Sequence, residues 1–278
     1  MPGLLSALRR VDSNVIYILV ALSMLIPLIK PFGIPILITQ DTREWANFID
    51  SLKRGDTVLL SSDYGASQML EMLPQMTATV VQCAKKGINI ILIGFSTEGP
   101  SFHSKLIETA ARFGAKYGEN VVDLGYVSGV EMGISSVLTD FARTVPTDTR
   151  GTPLGSLPLT QKVKNASGLA AAAMYSAGTP GPEEWVRQTQ THKIPLLLGL
   201  NSAQYAKGKP FVQAKQAKAC LGGQIMAAEY ELLLGVPGTA MGMTDAASGA
   251  YILFVILIGL GNLIMYLEKG RAASKKGG

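Results

Sequence analysis

The side chains of this 278-residue chain that could carry chemistry gather in four short polar stretches, each placed directly after an apolar run. Ser61, Ser62, Asp63 and Tyr64 form the first, and Ser96, Thr97 and Glu98 the second; Ser176, Gly178 and Thr179 form the third, and Asn201, Ser202, Gln204 and Tyr205 the fourth. Hydroxyls and amides in glycine-rich turns can hydrogen-bond a small polar or carbohydrate-like ligand, and Thr179 to Gly181, opening a helix, suits an anion. The ligand-binding candidates are therefore Ser62, Asp63, Tyr64, Ser96, Thr97, Ser176, Gly178, Thr179, Asn201 and Ser202. Turns between strands and helices need the same residue types as caps, so turn chemistry alone also accounts for them.

Catalytic chemistry has narrower support. His103, just inside a predicted helix, is placed to act as general base for Ser62 or Ser96, and Asp63 and Glu98 end neighbouring units where two carboxylates could share acid/base or divalent-cation work. Ser62, Asp63, Ser96, Glu98 and His103 are the catalytic candidates. The wider motifs are missing, however. Gly94 to Gly99 and Gly125 to Gly129 both miss the G-x-S-x-G spacing of a nucleophile elbow, and neither a dinucleotide fingerprint nor a phosphate-binding P-loop occurs. Cys83 and Cys220 lack zinc spacing and read as buried thiols, so no metal and no cofactor is expected. On these grounds the sequence leans away from an enzyme.

The elements that position these residues follow from periodicity. Asp41-Thr42 and Glu44 open an amphipathic helix that ends at Gly55. Five strand-turn-helix units come next, with predicted strands at Thr57–Ser61, Ile88–Ile93, Val121–Leu124, Leu169–Tyr175 and Ile194–Leu200. Their helices are predicted at 67–86, 102–115, 130–142, 183–191 and 211–234. Near-continuous apolar strands alternating with helices predict a mostly parallel, five-stranded, doubly wound (Rossmann-like) α/β domain over 39–234. The alanine-rich fourth strand is the weakest on propensity, and 146–168 is a long excursion with little periodicity.

Two apolar segments flank the domain. Ser248 to Leu267 runs twenty residues without a charge, long enough for a hydrocarbon core of about 30 Å, and reads as a transmembrane helix. Residues 14–38 read as a first anchor with an interfacial segment. Lys30 can snorkel to the headgroups, and the sequence after it lacks a cleavage site of the signal-peptide kind. Residues 1–13 are expected as an amphipathic tail, 235–247 as a small-residue linker and 268–278 as a basic tail. In the second span, Gly259, Gly261 and Asn262 suit close helix contact with the first span, a membrane-protein partner or another copy in a homo-oligomer.

Charge decides between partners. The net charge is +5, but residues 40–247 carry 18 basic and 18 acidic side chains, so the whole excess lies in the ends. A neutral domain offers no basic excess for phosphates, and nucleic acid is not expected as a partner; the lipid bilayer is. Basic tails, with no Lys or Arg between Ala219 and Gly249, predict a two-pass protein with both termini cytoplasmic and the central domain extracytoplasmic. The function expected is that of a membrane-anchored, non-catalytic ligand-binding or assembly subunit of a membrane complex. The alternative is a membrane-tethered hydrolase using a serine or carboxylate at the strand ends.

Overall fold

A computed structural model describes residues 12–276, so the expected tail at 1–13 falls almost wholly outside the described residues, as do the last two residues of the basic tail. The chain divides into two compact units, Ile36–Ala240 and the paired chain ends, Met1–Pro35 with Met241–Gly278.

In chain order the elements are α1 (Ser13–Ile29), α2 (Gln40–Ser51), β1 (Thr57–Asp63), α3 (Met69–Lys86), β2 (Asn89–Gly94), α4 (His103–Arg112), β3 (Val121–Tyr126), α5 (Val130–Thr139), α6 (Phe141–Thr144), α7 (Pro158–Lys162), β4 (Ala171–Ser176), α8 (Pro182–Thr191), β5 (Leu196–Leu200), α9 (Tyr205–Gln213), β6 (Ala219–Gly222), α10 (Gly223–Leu233) and α11 (Thr239–Lys276). The strands form one sheet in the order β3-β2-β1-β4-β5-β6, every neighbouring pair parallel. Order reverses between β1 and β4, and the carboxyl ends of those strands are where such folds open a crevice.

Because side chains alternate along a strand, each strand feeds two cores. Val58, Leu60, Ile90 and Leu92 pack with Trp45 of α2, Met72 and Met76 of α3, Leu106 of α4 and Tyr230 of α10. Leu59, Ile91 and Ile93 pack on the opposite face with Ile134 of α5 and Trp185 of α8, and with Leu154, Leu159 and Val163 from the 146–168 excursion. That excursion is therefore a packed cover over one face of the sheet. The alanine-rich segment is strand β4, with Ala171, Ala172 and Ala173 fully buried between the two layers.

The sheet has six strands where five were expected. The predicted helix 211–234 is cut into α9, β6 and α10, because Lys215 turns the chain at φ 60° and Gly223 turns it again at φ +67°. A Cβ at Gly223 would lie 2.0 Å from the Ser202 hydroxyl, so the second break depends on glycine. Between the breaks a short apolar run pairs with β5, Leu198 opposite Cys220. Cys220 consequently lies on a strand, not in a helix, and it and Cys83 are buried free thiols, each pushed up to about 12 chiefly by burial.

Among the described residues one helix, over Thr239–Leu267, is long and apolar enough to span a membrane. It begins at Thr239, so most of the stretch expected as a linker forms its first turns. The placement of two spans around the domain is met only in part, since α1 has 17 residues, about 26 Å of helix against a core of about 30 Å. Within the unit of chain ends, α1 packs antiparallel on α11 at Gly242 and Gly249, where an added Cβ would lie 3.2 Å from the Pro27 carbonyl and 2.9 Å from that of Ser23. Gly259 and Gly261, expected to make close contact, have nothing within 4 Å of that position, and Asn262 is exposed. Asp245 joins the two segments: its carboxylate accepts from the backbone N–H groups of Phe32, Gly33 and Ile34 at 2.6, 2.8 and 3.0 Å.

Removing that carboxylate orphans three part-buried donors, at about 1–3 kcal/mol for a buried group left unmade. Asp245→Ala should release the segment after α1, so limited proteolysis of the full chain in mild detergent should cut within residues 30–38 several-fold faster than in the wild type. Equal cutting would show that the clamp is dispensable.

Candidate functional site

The carboxyl end of β1 sends Ser62 to one face of the sheet and Asp63 to the other, and each enters a separate network. On the α3–α4 face, the Ser62 hydroxyl lies 2.7 Å from His103 Nε2, and His103 Nδ1 lies 2.6 Å from Asp123 Oδ1 on β3. An ionised carboxylate facing Nδ1 can only accept, so Nδ1 donates to it, and in the neutral ring Nε2 is then the acceptor for the Ser62 hydroxyl. Asp123 is held in turn by the Gly125 N–H at 2.9 Å on Oδ1 and by the Thr149 hydroxyl at 3.1 Å on Oδ2. The excursion thus delivers the last member of a chain that runs Ser62, His103, Asp123, Thr149.

Nucleophile, base and orienting carboxylate in this sequence are the parts of a serine hydrolase. The surroundings differ from those of a working nucleophile. Ser62 is 0% and His103 1% exposed. Ser62 sits inside a regular strand, opposite Tyr175 of β4, where a hydrolase serine occupies a sharp turn. Its hydroxyl also lies 3.3 Å from the Ile93 carbonyl. Backbone closes over it: a Cβ built on Gly94 or Gly99 would come within 2.8 Å of the hydroxyl, and the one on Gly99 within 1.9 Å of the Ser62 carbonyl oxygen. No space is left for an acyl group about 3 Å from the oxygen.

On the other face Asp63 accepts from the Ser61 hydroxyl at 2.7 Å, the Phe95 N–H at 2.9 Å and the Trp185 indole N–H at 2.9 Å. Phe95 and Trp185 meet edge to face above it, ring centroids 5.8 Å apart. Burial pushes the carboxyl up to about 6, while the three donors pull it down.

The other candidates are mostly engaged within the chain. Ser176 donates to the Pro180 carbonyl at 2.6 Å and accepts from the Gly178 N–H. Asn201 caps the turn by accepting from Gln204 N–H, and Ser202 donates through both N–H and hydroxyl to Glu71. Glu98 is exposed and accepts from the Ala66 N–H at 2.6 Å, whereas Asp63 is buried with three other donors. Ser96 is half-buried and does not replace Ser62 at His103, whose two ring nitrogens are taken. Thr97, Gly178 and Thr179 are exposed. Tyr64 is buried, stacks on Phe102 with centroids 5.8 Å apart, and has no hydrogen-bond partner for its hydroxyl among the described residues. Among those residues no group of three or more His, Cys, Asp or Glu side chains converges as a metal site.

Asp123 and Thr149 were not singled out from the sequence. A carboxylate within the apolar strand Val-Val-Asp-Leu was the available signal, because a buried charge needs a partner.

The fold belongs to the parallel, doubly wound α/β class. No protein-family model matches the sequence, and no curated protein does. Among solved structures, a chain of the tetrameric eIF2B-beta2-delta2 complex from C. thermophilum is similar at a TM-score of 0.35 and 11% identity, over 75% of this chain and 60% of that one. This chain therefore spans less than two thirds of that chain's length, and so distant a likeness carries no function across.

The pH dependence of stability tests the Asp63 site. Its folded-state pKa is raised from 3.8 to about 6, so its neutral form is favoured by folding; the associated stability is fully present below pH 3.8 and is lost as pH rises through about 6. Urea unfolding of wild type and Asp63→Asn should give a stability difference that falls by about 3 kcal/mol from pH 3.5 to pH 7. A difference independent of pH would contradict this site.

Proposed function

We propose that the protein is a membrane-anchored, non-catalytic α/β domain serving as a ligand-binding or assembly subunit of a membrane complex. The observation that carries the reading is the closure of the strand ends: the Ser62 hydroxyl is fully buried beneath Gly94 and Gly99, although it has a base and an orienting carboxylate at hydrogen-bond distance. Under this reading the Ser62-His103-Asp123 chain is a polar pin that ties β1, α4 and β3 together. Polar groups buried with all partners present give a rigid, uniquely registered core.

Anchoring is supported by the surface of α11. Tyr251, Val255, Ile258 and Tyr266 are 64–75% exposed, where the core helix of a soluble protein would bury such residues. The apolar surface of α1, with Ile18 at 57% and Leu25 at 54%, supports a second pass beside it. In that arrangement both basic tails are cytoplasmic and the domain extracytoplasmic. The open face at Gly259, Gly261 and Asn262 then remains for a membrane-protein partner or a second copy of the chain.

The second reading, a membrane-tethered hydrolase, is favoured by the distances of 2.7 and 2.6 Å alone. One experiment separates the two. Intact cells carrying the full chain are treated with a fluorophosphonate probe and, in parallel, with external protease. Under the proposed function the probe leaves Ser62 unlabelled, with the same signal in Ser62→Ala, and the protease removes the central domain. Labelling that Ser62→Ala abolishes would establish the hydrolase, and a protected domain would reverse the orientation.

A further inference from the structure

A cleft of about 370 Å³ lies along the α3–α4 face, within the range of about 300–1,000 Å³ typical of small-molecule sites. Leu73 of α3, Phe102 and Phe113 at the two ends of α4, and Val236 beyond α10 give it an apolar lining. Its charged groups are unevenly matched. Glu231 lines one wall, but its carboxylate already accepts from the N–H groups of Gly238 and Ala240 at 3.1 and 3.2 Å. Lys105 and Arg112, seven residues apart and so on one side of α4, are exposed at the rim, and neither side chain is in an ion pair among the described residues. Thr239, the first residue of α11, lines the cleft as well.

An apolar trough with two unpaired cations at its edge is complementary to one kind of occupant. We propose that this cleft binds a long-chain anionic amphiphile of the fatty-acid type, its chain along Leu73, Phe102 and Phe113 and its carboxylate at Lys105 and Arg112. An arginine fork and a lysine together hold a carboxylate through charge-assisted hydrogen bonds, while the chain leaves water for an apolar wall. The stacked Tyr64 ring backs Phe102 and fixes that wall. The inference goes beyond the proposed function and holds whether or not Ser62 is catalytic.

The test uses the full chain in phosphatidylcholine nanodiscs with a diazirine-bearing palmitate, cross-linked peptides being mapped by mass spectrometry. Labelling is expected within residues 69–81 and 102–113, at least fivefold weaker in K105E/R112E and in Leu70→Trp, which narrows the mouth at a half-exposed position. The matching diazirine alcohol, lacking the charge, should label the cleft several-fold less. Labelling confined to residues 13–29 and 239–267, or unchanged in K105E/R112E, overturns the proposal, as does equal labelling by the alcohol. A benzoylphenylalanine at position 70 that cross-links to another protein chain, with no lipid label in the cleft, assigns the surface to a partner and overturns it too. The charge variants alter only exposed side chains, so their folding is checked by an unchanged far-ultraviolet circular dichroism spectrum.

Discussion

A central strand of a parallel sheet, covered on both faces, has no water at its carboxyl end, yet β1 ends there in Ser61, Ser62 and Asp63, all fully buried or nearly so. An isolated carboxylate in such a place is expensive unless hydrogen-bonded, and a hydroxyl without a partner costs on the order of 1–3 kcal/mol. Much of the surrounding architecture answers that demand. Phe95 after β2 and Trp185 of α8 serve Asp63, while His103 of α4, Asp123 of β3 and Thr149 of the excursion form the chain that begins at Ser62. Elements far apart in sequence are thereby drawn to one point on the sheet. The same satisfaction that makes the core possible closes the crevice that comparable folds open to ligands.

Carboxylates that each gather three donors recur through the molecule. Glu229 of α10, buried, accepts from the Thr39 N–H and hydroxyl and from the Thr42 hydroxyl at the start of α2, where the helix dipole favours a negative charge. Asp148 gathers the Arg150 and Thr152 N–H groups and the Tyr117 hydroxyl, shaping the turn that presents Thr149 to Asp123. Asp245 does the same for the loop after α1. Acidic side chains thus serve largely as fasteners here.

The layered α/β plan was legible because apolar runs of strand length alternate with helical periods, and that signal survives even in the alanine-rich β4. The sixth strand was not legible. Its four residues, Ala219–Gly222, carry too little pattern, and the turns that isolate them depend on φ values at Lys215 and Gly223 that composition does not reveal. Ser62 and His103 could be singled out by residue type and by their places after consecutive strands. Asp123 could not be joined to them, since the strand order that sets β3 beside β2 is a tertiary fact. Neither burial of the Ser62 hydroxyl nor the close approach of Gly94 and Gly99 has a signature in one dimension, because both arise where loops from different units meet.

On the proposed reading the end of β1 is a closed structural core and not the mouth of a site. Hydrogen exchange of the full chain in mild detergent addresses it directly. Amides of residues 61–63 and 93–95 are predicted to exchange as slowly as those of β4, through global unfolding alone. Exchange at those positions many-fold faster than in β4, through local opening, would contradict the account and return the crevice to the role of an active or binding site.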